Sequence, residues 1–424
     1  MKMLVAALAL LGLALWPTSG AAREATYQAR ADQLLSILSA PGGEDAYFST
    51  LFLDAVPVAQ WRALAADLRK QYGKPLARGA VQVESPTTGV VEIRYERATI
   101  GFTLVVAPQA PNRVVGLQLV GTRRTDDDMD RVLAGIVALP GRTALAIAQL
   151  GDAGPLWLHD QHADTLMATG SSFKLYILAE LARAVAAGER RWSDVIPLSH
   201  KSFSGRLLTT PDGAPMTLHS LALAMIAESD NSAADTLLLA LGRMRVDAMV
   251  ATSGHARPDA TLPLLTTAEA FALKMPAHAD LARNYAAATP DQRRAIITAN
   301  AAQLTAGAVD IGTVADIPTA IDSIEWFATP RDMVRLLDWL RRNGGDALPI
   351  MAVNPGIAPA DAKRWHYLGY KGGSEPGVIA MNFLVQARDG RWFAIAASWN
   401  DSAARVDEPR FVALMTRALN LLAQ

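Results

Sequence analysis

The feature that most constrains this chain is an order of elements. Residues 143–150 and 156–159 carry strand-forming patterns, as do residues 378–387 and 392–399. The long segment between the two pairs is dominated by helical periodicity. Arg388-Asp389-Gly390-Arg391 joins the later pair, and Asp-Gly is a hairpin signal. A helix starts near Met129, ahead of the first strands, and an amphipathic helix over residues 411–422 follows Pro409. Strands at both ends with helices between predict one antiparallel sheet covered by helices.

Ahead of this stretch lies a smaller α+β unit. Residues 31–38 have helical periodicity, and residues 58–72 form a second amphipathic helix with Trp61, Leu64 and Leu68 on one stripe. Gly73 and Pro75 end it. Strand-like stretches follow at 81–83, 90–95, 99–106 and 114–119, punctuated by Pro86-Thr87-Thr88-Gly89 and by Pro108 to Pro111. Helices followed by a curved antiparallel sheet resemble the NTF2-like or cystatin-like superfolds, a pattern analogy that licenses no function. The polar run from Thr122 to Asp128 marks the boundary, giving units at 23–124 and 125–424. Its three aspartates read as a solvated linker and helix cap rather than as a metal site. The fold class is α+β, multidomain.

Composition removes several function classes. With 424 residues, 51% hydrophobic and 19% charged, the chain is no disordered polymer and has length for two or three domains. Forty basic residues balance 41 acidic ones and no basic run occurs, so a nucleic-acid partner is not expected. The absence of cysteine excludes disulfides, thiolate metal sites and a cysteine nucleophile. Lys2, the apolar run from Met3 to Trp16 and the small residues up to Ala22 read as a cleaved secretory signal over residues 1–22. The apolar run is too short to span a bilayer, and no later segment is apolar enough, so no stable membrane insertion is expected once the signal is removed. An exported protein without cysteine suits the periplasm.

Three short stretches can carry chemistry. In Ser171-Ser172-Phe173-Lys174 a helix begins, and its i, i+3 spacing sets Lys174 beside Ser171. An unprotonated lysine there can take the serine proton, provided it is desolvated or crowded by another cation. The helix start also offers free backbone N–H groups for an oxyanion. A capped helix with a surface lysine is the bland alternative. In Glu228-Ser229-Asp230-Asn231 a hydroxyl and a carboxamide can point into one cleft; ordinary N-cap chemistry accounts for the same residues. In Tyr370-Lys371-Gly372-Gly373-Ser374 small residues let a ligand lie against a strand edge, with the Ser374 N–H as a second oxyanion donor and Lys371 as a carboxylate anchor that also depresses Lys174. A glycine turn is the alternative there.

Taken in order, Ser-x-x-Lys, Ser-Asp-Asn and Lys-x-Gly resemble the motif set of class A β-lactamases and penicillin-binding proteins. The flanking residues Ser232 to Leu239 and Ala328 to Met333 are similar as well, and the resemblance runs from about Asp128 to the end. It implies an antiparallel sheet flanked by helices plus an all-α subdomain. It implies Ser171 as acylated nucleophile, Lys174 as its base, Ser229 as proton relay and Asn231 as substrate clamp. Lys371, Gly373 and Ser374 would line the substrate site, with no metal or cofactor. The substrate is then a small-molecule amide or ester, with β-lactams first and esters second. A cell-wall carboxypeptidase or transpeptidase and a slow ligand-binding receptor are the alternatives. The order of the two units looks like that of the two-domain hydrolases of clavulanic acid biosynthesis.

The match has two gaps. No Glu-x-x-x-Asn occurs between Asn231 and Lys371; Asp280 to Asn284 reads as a solvated helix, and Glu269 and Glu325 lack the spacing. Release of an acyl group by the family's usual route is therefore in doubt. Gly372 stands where the family carries Thr or Ser, so a hydroxyl for a substrate carboxylate is missing. His159-Asp160-Gln161-His162 reads as a surface turn rather than a metal site.

Overall fold

The computed structural model describes residues 20–125 and 127–423. The signal segment expected at residues 1–22 lies outside them, apart from its last three residues, which begin the first helix. The chain divides into two compact units, Met1–Asp128 and Met129–Gln424.

In the first unit, helices α1 (Gly20–Ser39) and α2 (Val58–Tyr72) are separated by two short helices. A meander of β1 (Pro75–Ser85), β2 (Thr88–Tyr95), β3 (Ala98–Val106) and β4 (Val114–Arg124) follows, each strand antiparallel to the next. Alternation decides the buried face: Val91, Ile93 and Tyr95 point inward from β2, and Ile100, Phe102 and Leu104 from β3. These meet Leu34, Phe48 and Trp61 in one core. On α2 the buried stripe is Trp61, Ala65 and Leu68, whereas Leu64, expected in it, is 48% exposed. At 3.6 residues per turn the i, i+4 and i+7 positions span about 60°, and i+3 lies roughly 40° beyond that arc.

The second unit is built on a five-stranded antiparallel sheet. In chain order the elements that frame the sheet and the site include α3 (Met129–Val137), β5 (Arg142–Gly151), β6 (Gly154–Gln161), α4 (Lys174–Ala186), α5 (Leu218–Ala227), α6 (Asn231–Leu241), α7 (Thr267–Leu273) and α8 (Pro330–Asn343). The last elements are β7 (Tyr367–Glu375), β8 (Val378–Gln386), β9 (Trp392–Asn400) and α9 (Glu408–Leu422). Sheet order is β7-β8-β9-β5-β6, so the two expected strand pairs join through β9 and β5, and β7 forms an edge. Residues 159–161, read as a turn, continue β6.

Both sheet faces are covered. In β5, Leu145 and Ile147 face the cluster formed with α3 and α9, while Ala146 and Ala148 face the helical block. The small side chains on that face let α8 approach the sheet closely. Helix α4 is apolar nearly all round, and Leu175, Ile177, Leu178 and Leu181 are fully buried. A capping box fixes the start of α8: the Thr329 hydroxyl accepts from Asp332 N and the Asp332 carboxylate accepts from Thr329 N, both at 3.0 Å. Among the described residues no helix is long and apolar enough to cross a membrane.

Candidate active site

Ser171 sits in a single 3-10 turn, Gly170–Phe173, that runs directly into α4. Gly170 has φ +47°, the left-handed region, and so turns the chain into the helix. The turn is pinned from three sides. Both the amide and the hydroxyl of Thr169 donate to the Trp326 carbonyl, at 3.0 and 2.8 Å. Phe173 stacks on Trp326 with centroids 4.1 Å apart and planes 2° from parallel. Asn382, from β8, donates to the buried Ser172 hydroxyl at 2.8 Å and to the Lys371 carbonyl at 3.1 Å, tying the turn to β7.

Gly373 explains why β7 comes so near. A Cβ there would strike the Thr169 carbonyl and the Ser171 amide nitrogen and lie 2.7 Å from the Gly170 carbonyl carbon. Reciprocally, a Cβ on Gly170 would lie 3.3 Å from the Ser374 nitrogen. The backbone around Ser171 and Ser374 therefore meets across a gap that only glycine leaves open.

Lys174 is fully buried one turn along. Its Nζ donates to the Ser229 carbonyl at 2.6 Å and to Asn231 Oδ1 at 2.7 Å, and lies 3.3 Å from the Ser229 hydroxyl. Burial pulls its pKa down to about 7, against the attraction of Asp235 and Asp230. Ser229 occupies the break between α5 and α6 with φ +56°, a conformation that costs a non-glycine residue about 1–3 kcal/mol. That twist aims its carbonyl at Lys174 while its hydroxyl also accepts from Lys371 Nζ at 2.9 Å. Asp230 caps α6, accepting from Ala233 N at 2.9 Å, so cap chemistry and cleft chemistry share the same three residues. Asn231 spends its carboxamide on both sides, donating to the Ser204 hydroxyl at 2.8 Å.

Lys371 is buried and also donates to the Gly372 carbonyl at 2.5 Å. Its pKa lies well below the ordinary lysine value, first through burial and then through repulsion from Lys174. The depression of Lys174 comes first from its own burial. Among the described residues neither lysine has a carboxylate within ion-pair distance. Asp235, one turn beyond Asn231, is pushed up to about 6 by burial while accepting from Thr267 and Ala268.

Ser171 borders two clefts. The first, about 260 Å³, also touches Ser229, Tyr370, Lys371, Ser374 and Glu408. The second, about 250 Å³, is lined by Phe203, Ser204, Phe271, Trp326, Glu325 and Glu375 among others. Beneath it Lys274 Nζ lies 2.7 Å from Glu325 and 2.6 Å from Glu375, all buried or nearly so. Burial pushes Glu325 up, but Lys274 and the hydrogen bonds it receives outweigh that and hold it below its ordinary value. Burial and the neighbouring Glu325 push Glu375 well up, so one proton is shared over two carboxyl groups.

Every residue singled out in the sequence for chemistry thus lies around Ser171: Lys174, Ser229, Asn231, Lys371, Gly373 and Ser374. Sequence reading missed Ser204, Asn382, Lys274 and Glu375, none of which belongs to a short motif. It passed over Glu325 for want of spacing. Asp280 is exposed and paired with Arg283, far from this role.

The family model for the beta-lactamase enzyme family matches residues 130–348, a little over half of the chain. The chain belongs to that family, whose members are serine hydrolases. The matched segment contains Ser171, Lys174, Ser229 and Asn231 and stops short of Lys371. Among solved structures, PBP-A is 16% identical, covering 70% of this chain and 94% of that one, with a TM-score of 0.49. The beta-lactamase of Sphaerobacter thermophilus DSM 20745 is 19% identical over 70% of this chain and 96% of that one, with a TM-score of 0.48. That of Chitinophaga pinensis DSM 2588 is 16% identical over 69% of this chain and 98% of that one, with a TM-score of 0.46. No curated protein matches the chain.

Proposed function

We propose that the chain is an exported serine hydrolase, active in the periplasm, that cleaves an activated amide or ester through an acyl-Ser171 intermediate. β-Lactams are the first candidates and small esters the second. The observation that carries this reading is the burial of Lys174 without a carboxylate partner beside Ser229 and Asn231. A buried amine so placed is uncharged over part of its range near pH 7 and can act as a base.

The sequence of events follows from the donors and acceptors. Lys174 accepts the Ser171 proton as Oγ attacks the substrate carbonyl, forming the C–O bond. The developing oxyanion is held by the amides of Ser171 and Ser374. Lys174 then gives that proton to the Ser229 hydroxyl, 3.3 Å away, which passes its own on to the leaving nitrogen or oxygen as the scissile bond breaks. Asn231 holds the acyl-side amide, and Lys371 the substrate's anionic end. Water then enters from the second cleft, where the ionised Glu325 takes its proton as the oxygen bonds to the acyl carbonyl carbon; the bond from that carbon to Ser171 Oγ breaks, and the proton returns to Oγ. No metal or cofactor takes part in this scheme.

Mass spectrometry of the intact protein mixed with penicillin G tests the reading. A covalent adduct on Ser171, absent from Ser171→Ala, is expected. Hydrolysis that survives in Ser171→Ala contradicts it.

A further inference from the structure

Gly372 removes a side chain from the wall of the first cleft, and the space it leaves is filled. A Cβ built on Gly372 would collide with the Tyr370 hydroxyl and lie 2.8 Å from its Cζ. Residues 370 and 372 are two apart on β7 and so project from the same face of the edge strand. The ring is clamped in that position. Tyr370 packs against Phe383 on β8 with centroids 4.8 Å apart, and a Cβ on Gly356 would lie 2.6 Å from Tyr370 Cζ. Gly356 has φ +65°, so its turn both needs and uses glycine to admit the ring.

Tyr370 lines the same cleft as Ser171, Lys371 and Ser374. Among the described residues its hydroxyl has no hydrogen-bond partner. Burial, reinforced by Glu408, raises its pKa, so it remains a donor at every pH the protein would meet. Beside it, Lys371 spends two N–H bonds on Ser229 and Gly372 and, when protonated, keeps a third. A buried ammonium without an acidic partner is stabilised by an anion that enters with the ligand. Two carboxylates share this wall, and neither lies within ion-pair distance of Lys371: Glu228 is paired with Arg206, and Glu408 acts on Tyr370, so that demand is unmet.

We infer that the Tyr370 hydroxyl is the second donor for a substrate carboxylate held by Lys371, and that it takes the place a side chain at Gly372 would occupy. The inference rests on the hydrolase reading above and deepens it: the preferred substrate carries a carboxylate next to its leaving group, despite the glycine at 372. Tyr370 is a specificity residue and takes no part in proton transfer at Ser171.

The test compares penicillin G with its methyl ester on the full-length protein, reading adduct formation at Ser171 against probe concentration. The unaltered protein should favour the acid. Tyr370→Phe keeps the ring and loses the hydroxyl, so the preference for acid over ester should fall about ten- to a hundredfold, the range expected for one hydrogen bond to a charge. The fall should appear in the half-saturating concentration, not in the limiting rate. Gly372→Ala should lower the same ratio, because its methyl group displaces the hydroxyl while Lys371 is untouched. A ratio unchanged in both variants, with Ser171 still acylated, overturns the inference and leaves the hydrolase reading standing. If neither probe labels Ser171 on the unaltered protein, the hydrolase reading falls and takes the inference with it.

Discussion

Lys174 and Ser229 meet at two points: the amine nitrogen lies 2.6 Å from the Ser229 carbonyl oxygen and 3.3 Å from its hydroxyl. A carbonyl oxygen can only accept, and so can Asn231 Oδ1 at 2.7 Å. An uncharged amine has two N–H groups and one lone pair, which satisfies both acceptors and leaves the pair for a hydroxyl. The site is therefore suited to the neutral form. Acylation should rise with pH through about 7, because raising the pH removes the proton that blocks the lone pair. Lys174→Met should slow adduct formation by about a hundredfold or more, measured by stopped mass spectrometry, with the fold checked by circular dichroism.

Gly373 is the position where a single methyl group does most damage. Its Cβ would fall on the Thr169 carbonyl and the Ser171 amide. Gly373→Ala should push β7 away from the nucleophile turn, lowering the melting temperature and abolishing acylation by both β-lactams and esters. A variant with normal acylation rates would show that the two backbones need not touch.

Asn382 holds the turn from the other side. Asn382→Leu removes the donor to the buried Ser172 hydroxyl and the Lys371 carbonyl, so about 1–3 kcal/mol of stability should be lost in urea denaturation. Acylation should slow as well, since Ser172 adjoins the nucleophile.

In the proposed scheme Glu325 serves the second half of the reaction. The trio of Lys274, Glu325 and Glu375 has one cation and two carboxyl groups. Glu325→Gln leaves Lys274 with an ionised Glu375, so the fold should survive. Adduct formation should stay within a few-fold while adduct lifetime lengthens by about a hundredfold, followed by mass after removal of free penicillin. An unchanged lifetime would assign the water to another group.

These residues differ in how far the sequence reveals them. Ser171 and Lys174 are legible because helical spacing alone makes them neighbours. Ser229 and Asn231 are legible as a pair on one turn, although the positive φ of Ser229 is not. The sheet is legible from its end strands because alternation and the Asp-Gly turn are local signals. Glu325 is not, because its role depends on Lys274, 51 residues away from it, and on Glu375, 101 residues away from Lys274, in pairings fixed only by tertiary structure. Gly372 reads as a missing hydroxyl; that Tyr370 fills the gap depends on Phe383, opposite it on β8, and on Gly356, in the turn ahead of β7. Leu64 misleads for a simpler reason, since a stripe read at i+3 and a stripe buried at i+4 share their other members.

The charge on one amine decides most of this. Lys174 can be followed directly by the pH dependence of its side-chain carbon resonance, assigned by its loss from the spectrum of Lys174→Met. A midpoint near 7 in the free protein is the result that a buried base beside Ser171 requires. A midpoint above 10 would mean a lysine charged throughout the working range, and Ser171 would have no base.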